Sequence, residues 1–352
     1  PEVDAVLGTT SYGDILKAVE EALEGKHFQE FKDIDYLPEY QGKRVLTTGG
    51  HFGYLKIAEG CDKHCTYCII PKLRGKFRSV PMERLVSQAK SMAEQGVKEL
   101  ILVAQETTVY GTDIYGKKSL HILLKELCKI SGIRWIRVLY CYPEEIYEEL
   151  IQTMKEEKKI CHYLDLPIQH ASDRILKRMG RRTTKAELVA IVNRLREVIP
   201  DIVLRTTLIS GFPGETQEDH EELMEFVDEM EFDRLGVFTY SPEEDTPAAT
   251  MENQIPEEVK EARRDEIMEL QQEISYDKGT DRVGQELLVM IEGKVSGESA
   301  YIGRTYGDAP KVDGYIFVQT GELLMTGDFA KVRVTGALEY DLIGELADEY
   351  TE

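Results

Sequence analysis

Three cysteines near residue 60 have the spacing of a metal-binding loop. Cys61, Cys65 and Cys68 follow the pattern C-x3-C-x2-C within the segment AEGCDKHCTYCIIPKLRG. Zinc accepts three cysteines and one histidine, and His64 is available, but it adjoins Cys65, and two neighbouring side chains rarely reach one ion together. A [4Fe–4S] cluster normally takes four thiolates, so three would leave one iron open to a small molecule. We therefore favour a cluster over a zinc site or a chance grouping of structural cysteines.

The other three cysteines do not resemble a second loop. Cys128, Cys141 and Cys161 are 13 and 20 residues apart, and we interpret them as small buried hydrophobes, with Cys141 expected to face the site. Six cysteines in 352 residues exclude a disulfide scaffold. No apolar run is long enough to span a membrane, so we predict no membrane contact. No signal peptide opens the sequence, so we predict a cytoplasmic protein. The net charge of −22 favours a basic partner over nucleic acid.

The elements that position the cysteines form a regular alternation after residue 53. Helical spacing fills the segments between apolar runs, as in residues 81–96 and 184–200. The predicted strands span residues 54–58, 99–105, 133–140, 163–169, 202–210 and 235–240. Six strand–helix units predict an α/β fold with a parallel sheet and right-handed crossovers. Because a closed barrel of this type needs eight units, we predict an open, partial (βα)6 barrel.

The polar and glycine-rich segments all follow predicted strands. The cysteine loop follows the first strand, and the later segments are AQETTVYGTD, CYPEE, QHAS, SGFPGET and SPEEDTPA. In parallel barrels the carboxyl ends of the strands meet at one mouth, where the site lies. The sequence therefore predicts a single site at that mouth.

The cysteine spacing after the first strand of a partial barrel, with Tyr67 just before Cys68, resembles the radical S-adenosylmethionine (SAM) enzymes. In that superfamily SAM chelates the open iron. One electron from the reduced cluster then breaks the sulfonium, and a 5′-deoxyadenosyl radical abstracts hydrogen. The resemblance implies that the protein supplies position and a dry pocket, while the cofactor supplies the chemistry.

Three longer segments resemble the methylthiotransferases, which place a CH3–S group on an unactivated carbon. These segments are IAEGCDKHCTYCIIPKLRGKFRSVPME, LPIQHASDRILKRMGRRT and LRTTLISGFPGET. Members have an N-terminal domain with a second cluster, the radical barrel, and a small β-barrel called TRAM. The predicted organisation is a remnant of the N-terminal domain (1–24), a connector (25–52) with a strand at 44–48, the radical SAM domain (53–280) and TRAM (281–352). Without the second set of cysteines, we expect the chain to cleave SAM only.

The resemblance also implies roles for particular side chains. Cys61, Cys65 and Cys68 are the expected cluster ligands, and no further catalytic residue is expected beyond the cluster and SAM. Arg205 is predicted either to pair with the SAM carboxylate or to form an ion pair elsewhere on the barrel. Arg181 matches a family position without a derived role. The other candidate SAM contacts are Gln105 and Thr107 for the amino group, Gln169 for the ribose, and Gly211 and Glu215 near the adenine. Tyr67 and Tyr240 are expected either as flanking rings or as core residues.

The C-terminal part reads as a separate domain. Residues 256–279 predict a long charged helix, after which short strands with turn glycines predict a five-stranded OB-like barrel. Residues 281–352 hold 14 acidic and 6 basic residues, a net charge of −8. Because RNA binding needs clustered Lys and Arg, we predict a basic protein partner for this domain. An ordinary solvated surface is the alternative.

Three functions remain open at this point. The first is a ribosomal-protein methylthiotransferase acting on the β-carbon of an aspartate in uS12, with flavodoxin or ferredoxin as the electron donor. The motif QETTVYGTD and the ending EYDLIGEL resemble that branch. The second is a tRNA-adenosine methylthiotransferase, although the acidic tail makes tRNA the less favoured partner. The third is a cluster-bearing interaction module without catalysis, which detection of 5′-deoxyadenosine would exclude.

Overall fold

The computed structural model describes residues 2–37 and 45–347. Its N-terminal piece is a short parallel pair of strands, β1 (Ala5–Leu7) and β2 (Phe28–Glu30), joined through helix α1 (Ile15–Leu23). The strand predicted at residues 44–48 is wrong for residues 45–48, which are the ones that the structure describes. Residue 44 lies outside the described residues, and residues 45–48 form no strand.

A six-stranded, all-parallel sheet forms the centre of the molecule, in the order β3-β6-β7-β8-β9-β10. The fold prediction of a partial barrel is therefore confirmed. Its strands are β3 (Phe52–Lys56), β6 (Glu99–Val103), β7 (Trp135–Val138), β8 (Ile160–Asp165), β9 (Val203–Ser210) and β10 (Arg234–Thr239). A small antiparallel pair, β4 (Ala58–Glu59) and β5 (Arg78–Ser79), brackets the cysteine loop.

Helices cover the outer face of the sheet. They include α3 (Met82–Glu94), α5 (Leu120–Cys128), α6 (Glu148–Glu156), α7 (Asp173–Arg178), α8 (Lys185–Val198), α9 (Gln217–Met230) and α10 (Glu257–Thr280). The short helices α2 (Ile70–Arg74), directly after the cysteine loop, and α4 (Thr112–Tyr115) bury no residue. Strand residues alternate between two cores, as the two-residue period of a strand requires. Leu100 and Leu102 pack under the helices, whereas Ile101 lies in the inner cluster with Trp135 and Tyr163.

Two strands end earlier than their apolar runs predicted. Strand β8 stops at Asp165, and Pro167, which has no N–H to donate, follows two residues later. Gln169 then adopts a left-handed backbone with φ of 73°, and Tyr140 after β7 does the same with φ of 59°. Such conformations are uncommon outside glycine and concentrate at functional sites. Both lie beyond the carboxyl ends of their strands, at the predicted mouth.

The C-terminal domain is a closed five-stranded barrel in the order β11-β12-β13-β15-β14, which confirms the predicted small all-β barrel. Its strands are β11 (Glu286–Lys294), β12 (Ala300–Thr305), β13 (Ile316–Gln319), β14 (Phe329–Ala337) and β15 (Leu342–Leu346). Met290, Ala309 and Phe329 pack into the inner cluster of the α/β sheet. The small barrel therefore packs on the concave face of the partial barrel.

Acidic side chains of the small barrel contribute to this junction. Asp308 pairs with Arg234 at 2.5 Å, and Asp313 lies 3.4 Å from Arg205. Both carboxylates are buried at 3% side-chain exposure. The count of acidic residues in 281–352 thus includes internal ion pairs, which a count from sequence cannot separate from surface charge. None of the described helices is both long and apolar enough to cross a membrane.

Candidate functional site

The cysteine loop is fixed to its surroundings by backbone hydrogen bonds. The N–H of Cys61 donates to the carbonyl of Gly75 at 3.1 Å, and the N–H of Cys68 donates to the carbonyl of Cys65 at 3.1 Å. Gly60 has φ of 80°, and a Cβ there would lie 2.0 Å from the Lys76 carbonyl oxygen. Only glycine fits this close approach, so the loop enters the site in one defined conformation.

The three thiols lie together in a nearly dry site. Cys61 and Cys65 are 7% and 6% exposed, Cys68 is half-buried, and each is a free thiol. Burial raises the pKa of Cys61 to about 11 and also raises that of Cys68. Thiolates in such a site therefore need a strong positive charge, which bound metal provides.

A single metal ion does not fit this arrangement. Within residues 2–37 and 45–347, no three Cys, His, Asp or Glu side chains are grouped closely enough to hold one ion. A cube of four irons binds its thiolates at separate corners, so it suits three cysteines spread along a loop. His64 is exposed, which also leaves it unsuited as a fourth ligand in a buried site. The donor set fits a [4Fe–4S] cluster with one open iron.

The segment after β6 braces the loop. Gln105 accepts a hydrogen bond from the N–H of Gly60 at 2.8 Å through its side-chain oxygen. Thr107 is fully buried, and its hydroxyl donates to the carbonyl of Leu139 at 2.8 Å. Of the two residues predicted to hold the SAM amino group, the structure thus places Gln105 beneath the cluster loop and Thr107 inside the barrel wall.

Glu106, between these two residues, is the site residue that the sequence reasoning missed. It is 1% exposed, and Oε1 accepts a hydrogen bond from the N–H of Thr108 at 3.0 Å. Its Oε2 is buried without a hydrogen-bond partner in the described part of the chain. Burial raises its pKa to about 7, although the Thr108 hydroxyl and Lys63 act in the opposite direction. A carboxyl group directly after a strand at the mouth was the available signal.

The side chains of Gln169 and Arg205 differ in their hydrogen bonds and ion pairs. The backbone N–H of Gln169 donates to the carbonyl of Thr207 at 2.9 Å, while its half-buried side chain makes no hydrogen bond among the described residues. That amide is therefore available to a ligand. Arg205 instead pairs with Asp165 at 2.8 Å and with Asp313 at 3.4 Å, which is the alternative stated for it from sequence.

Gly211 and Glu215 build a wall of the site. Oε2 of Glu215 accepts from the N–H groups of Gly211 and Phe212 at 2.9 and 3.2 Å, and Oε1 accepts from Arg263 at 2.8 Å. Burial opposes the charge, but the His170 ring, 3.5 Å from Oε2, and the Arg263 guanidinium lower the pKa of Glu215. A Cβ on Gly211 would lie 2.2 Å from the Lys260 side chain, so this glycine allows α10 to approach closely.

Three aromatic rings, including that of Tyr67 directly before Cys68, pack together in a small apolar cluster. Phe212 lies between Tyr67 and Tyr240, with edge-on centroid distances of 6.4 and 5.3 Å. Tyr240 is 2% exposed, and its hydroxyl has no hydrogen-bond partner in the ranges described. Tyr240 is thus a core residue, which is one of the two alternatives stated for it from sequence, and Tyr67 packs against the same cluster. Cys141 and Cys161 are buried thiols in the barrel wall, and Cys128 is half-buried.

Comparisons with known proteins agree with this geometry. The model of the radical SAM superfamily matches residues 55–227, and that of the TRAM domain matches residues 283–347. The ribosomal protein uS12 methylthiotransferase RimO of Lachnoclostridium phytofermentans is 64% identical over 98% of this chain and 78% of its own length. The RimO of Clostridium perfringens strain 13 is 54% identical over 99% of this chain and 78% of its own.

Solved structures are more distant. Coproporphyrinogen III oxidase (HemN) from Escherichia coli is 17% identical, with a TM-score of 0.46, over 80% of this chain and 66% of its own. The partial barrel, the thiol loop at its mouth and the small β-barrel define a radical SAM enzyme with a TRAM domain. The chain belongs to the family of uS12 methylthiotransferases named RimO. It is therefore a transferase whose cofactors are a [4Fe–4S] cluster and SAM.

Proposed function

We propose that this chain carries the radical chemistry that places a methylthio group on the β-carbon of an aspartate in ribosomal protein uS12. The observation that carries the proposal is the set of three buried thiols in one braced loop at the barrel mouth. The names of the 64% and 54% identical relatives support uS12 as the substrate. A ribosomal-protein substrate also keeps the cytoplasm as the expected compartment.

The residues of the chain would divide the work as follows. Cys61, Cys65 and Cys68 would hold the cluster, which with SAM supplies the electron and the 5′-deoxyadenosyl radical. Glu106, whose Oε2 is buried and has no hydrogen-bond partner among the described residues, would accept a hydrogen bond from the SAM ammonium group. The side-chain amide of Gln169, also without a hydrogen bond within 2–37 and 45–347, would bind the ribose. Neither Gln105 nor Thr107 needs to touch SAM, because each is occupied in bracing the site.

Water exclusion falls to the aromatic wall. The rings of Tyr67, Phe212 and Tyr240 pack edge to face, and Phe212, which carries no polar group, lies between the two tyrosines. A radical intermediate needs such a dry pocket to avoid side reactions. These rings would therefore protect the reacting carbon rather than bind it through hydrogen bonds.

The division of the chain into domains is part of this proposal. We assign residues 1–24 to the edge of an N-terminal domain, 25–52 to a connector, 53–280 to the radical SAM domain and 281–352 to TRAM. The three cysteines outside the loop are scattered, since Cys128 lies half-buried on α5 and Cys141 and Cys161 are buried elsewhere.

The exposed charge of the TRAM domain is less negative than its sequence indicates. The described part of TRAM has six exposed acidic residues (Asp281, Glu286, Glu298, Glu322, Glu339 and Glu345) and four exposed basic residues (Lys294, Lys311, Lys331 and Arg333). Residues 281–347 carry a net charge of −5, of which the exposed residues contribute −2, because several carboxylates are internal. We still propose TRAM as a contact for the basic protein uS12, with flavodoxin or ferredoxin as the electron donor.

The test is anaerobic reconstitution of the chain, followed by reduction and incubation with SAM. We expect 5′-deoxyadenosine and methionine. Absence of 5′-deoxyadenosine from cluster-loaded, reduced protein would reject radical chemistry. Methylthiolated uS12 would confirm the substrate, whereas methylthiolated tRNA would support the alternative function.

A further inference from the structure

Residues 178–180, at and just after the end of α7, lie directly against the cysteine loop. The hydroxyl of Thr66 donates to the carbonyl of Arg178 at 2.9 Å, and the N–H of Thr66 donates to the carbonyl of Met179 at 2.9 Å. Gly180 has φ of 74°, and a Cβ there would lie 2.8 Å from the carbonyl oxygen of His64. Residues 178–180 therefore pack closely against the loop, with no room for a side chain at position 180.

Arg181, the next residue, carries a buried cation. Its side chain is 1% exposed, and its guanidinium lies 4.3 Å from the centroid of the Tyr142 ring. Nη2 donates to the carbonyl of Pro167 at 2.9 Å, but Nε and Nη1 have no hydrogen-bond partner in the described ranges. Burying an arginine without satisfying its donors is unfavourable, so these two groups indicate a missing acceptor.

Tyr142 links this cation to a cysteine. Its hydroxyl lies 3.7 Å from Sγ of Cys65, within the range of a hydrogen bond to sulfur. When Cys65 is a thiolate ligand without a proton, the Tyr142 hydroxyl is the donor of this hydrogen bond. Lys63 lies over the same ring, 5.1 Å from its centroid. The Tyr142 ring therefore contacts two cations, Arg181 and Lys63, and its hydroxyl lies next to the thiol of Cys65.

The nearest opposing charge does not satisfy Arg181. Oε2 of Glu144 is 3.7 Å from Nη2, too long for a hydrogen bond, and Oε1 of Glu144 is 3.8 Å from Nζ of Lys63. Arg181 also interacts electrostatically with Cys65 and Tyr67. Its positive charge is therefore only partly offset, in a site where three thiolates would gather.

We propose that Arg181 is a positioning residue for the cluster, which stabilises the reduced state and raises the reduction potential. The inference rests on the proposed cluster at Cys61, Cys65 and Cys68. Reduction transfers one electron from a low-potential donor to the cube, changing [4Fe–4S]2+ to [4Fe–4S]1+ with no bond broken and no proton moved. The added negative charge lies in a buried site, where a nearby cation and sulfur hydrogen bonds favour it.

The experiment measures the reduction potential of reconstituted chain by redox titration, with the EPR signal of [4Fe–4S]1+ as the readout. At the potential that half-reduces the parent cluster, R181M should decrease the ratio of reduced to oxidised cluster about tenfold. R181K should recover most of this loss because it keeps the charge. E144Q should increase the ratio, since it removes the opposing carboxylate. R182M is the matched control, because Arg182 is the exposed neighbour and should leave the ratio unchanged.

Two results would overturn the inference. One is full iron content in R181M with the reduction potential of the parent, and the other is an equal shift in R181M and R182M. If R181M does not retain iron, E144Q provides the test. An unchanged or lowered reduction potential in E144Q would reject an effect of the Arg181 charge on the cluster. A parent chain that yields no [4Fe–4S]1+ signal would reject the proposed function itself. A normal parent signal with unaffected variants rejects only the role of Arg181.

Discussion

Arg304 of the TRAM barrel donates a hydrogen bond to Glu99 at the start of β6, with Nη2 and Oε2 separated by 2.7 Å. Glu99 also accepts from Arg137 at 2.8 Å, and all three side chains are fully buried. Such a group orders the junction between two domains, because each charge depends on the others for its hydrogen bonds. The relative placement of TRAM and the radical barrel therefore depends on a few specific contacts.

Loss of the Glu99 charge should destabilise the junction strongly. E99Q leaves two buried arginines without their carboxylate, and we expect the free energy of unfolding to decrease by about 3 kcal/mol or more. The matched control is E286Q, which breaks the exposed Glu286–Arg333 pair and should cost below about 1 kcal/mol. Urea unfolding of the metal-free chain measures both. Equal effects in the two variants would contradict a structural role for the buried group.

The junction should also be sensitive to acid. Burial alone would raise the pKa of Glu99 and of Asp308, but their arginine partners outweigh it and lower both. Their stabilising contribution is full above the ordinary carboxyl pKa of about 4 and is lost as the pH falls through the lower folded-state values. Asp313 acts in the opposite direction, since burial raises its pKa.

The measurement is the free energy of unfolding of metal-free chain from pH 7 to pH 3. We expect a steep decrease below about pH 4 in the parent and a shallower one in E99Q, which has lost one of the titrating groups. Identical pH profiles for the two proteins would show that Glu99 does not carry the acid sensitivity.

Iron binding should depend on the cysteine loop alone. Reconstituted chain should contain about four irons, the content of one cubic cluster. Combined replacement of Cys61, Cys65 and Cys68 by Ala should abolish both the iron and the visible absorption. Cys128→Ala is the control, because this thiol lies on α5 and should leave the iron content unchanged. Iron that persists in the triple variant would place the ligands elsewhere.

Glu106 should control the binding of SAM. E106Q removes the charge that we assign to the SAM ammonium, so affinity for SAM should fall about tenfold or more while iron content is maintained. Because the pKa of Glu106 is raised to about 7, binding by the parent should strengthen from pH 6 to pH 8 as the carboxylate forms. Equilibrium binding on oxidised, cluster-loaded protein measures this, with the exposed Glu94→Gln as control. If the SAM affinity of E106Q still increased from pH 6 to pH 8, the pH dependence would belong to another group.

Charges on the TRAM surface should affect association with uS12. Asp341 is unsuitable for this test, because it accepts a hydrogen bond from the N–H of Tyr315 at 2.7 Å, and Asp348 and Glu349 lie outside the described residues. A variant with Gln at the exposed Glu298, Glu322 and Glu345 should bind uS12 more slowly, with little change in its release.

This surface effect should weaken as salt rises, since charges beyond about 8 Å are screened at roughly 0.15 M ionic strength. Association rates at two salt concentrations, for uS12 and for tRNA, measure it. SAM cleavage should remain at the level of the parent. Tight, salt-sensitive binding of tRNA by the parent, with none to uS12, would contradict the proposed partner.

Local patterns in the sequence determined the main features of this protein. The spacing of Cys61, Cys65 and Cys68 indicated the cluster loop, because neighbouring residues in a loop must stay together in any fold. The alternation of apolar strands with amphipathic helices predicted the partial barrel, and turn glycines predicted the small β-barrel, since both patterns follow from the periods of strand and helix. Boundaries shifted where Pro167 ended β8 early.

Only the tertiary structure decided which polar residues are free to bind a ligand. Gln105 and Thr107 matched the expected position, yet each is occupied in bracing the site, while Glu106 between them keeps an unpaired oxygen. Arg304 and Glu99 are 205 residues apart, and no local pattern relates them. Hydrogen-bond partners and burial depend on which distant segments the fold brings together, and these decide whether a charged side chain stabilises the structure or remains available for chemistry.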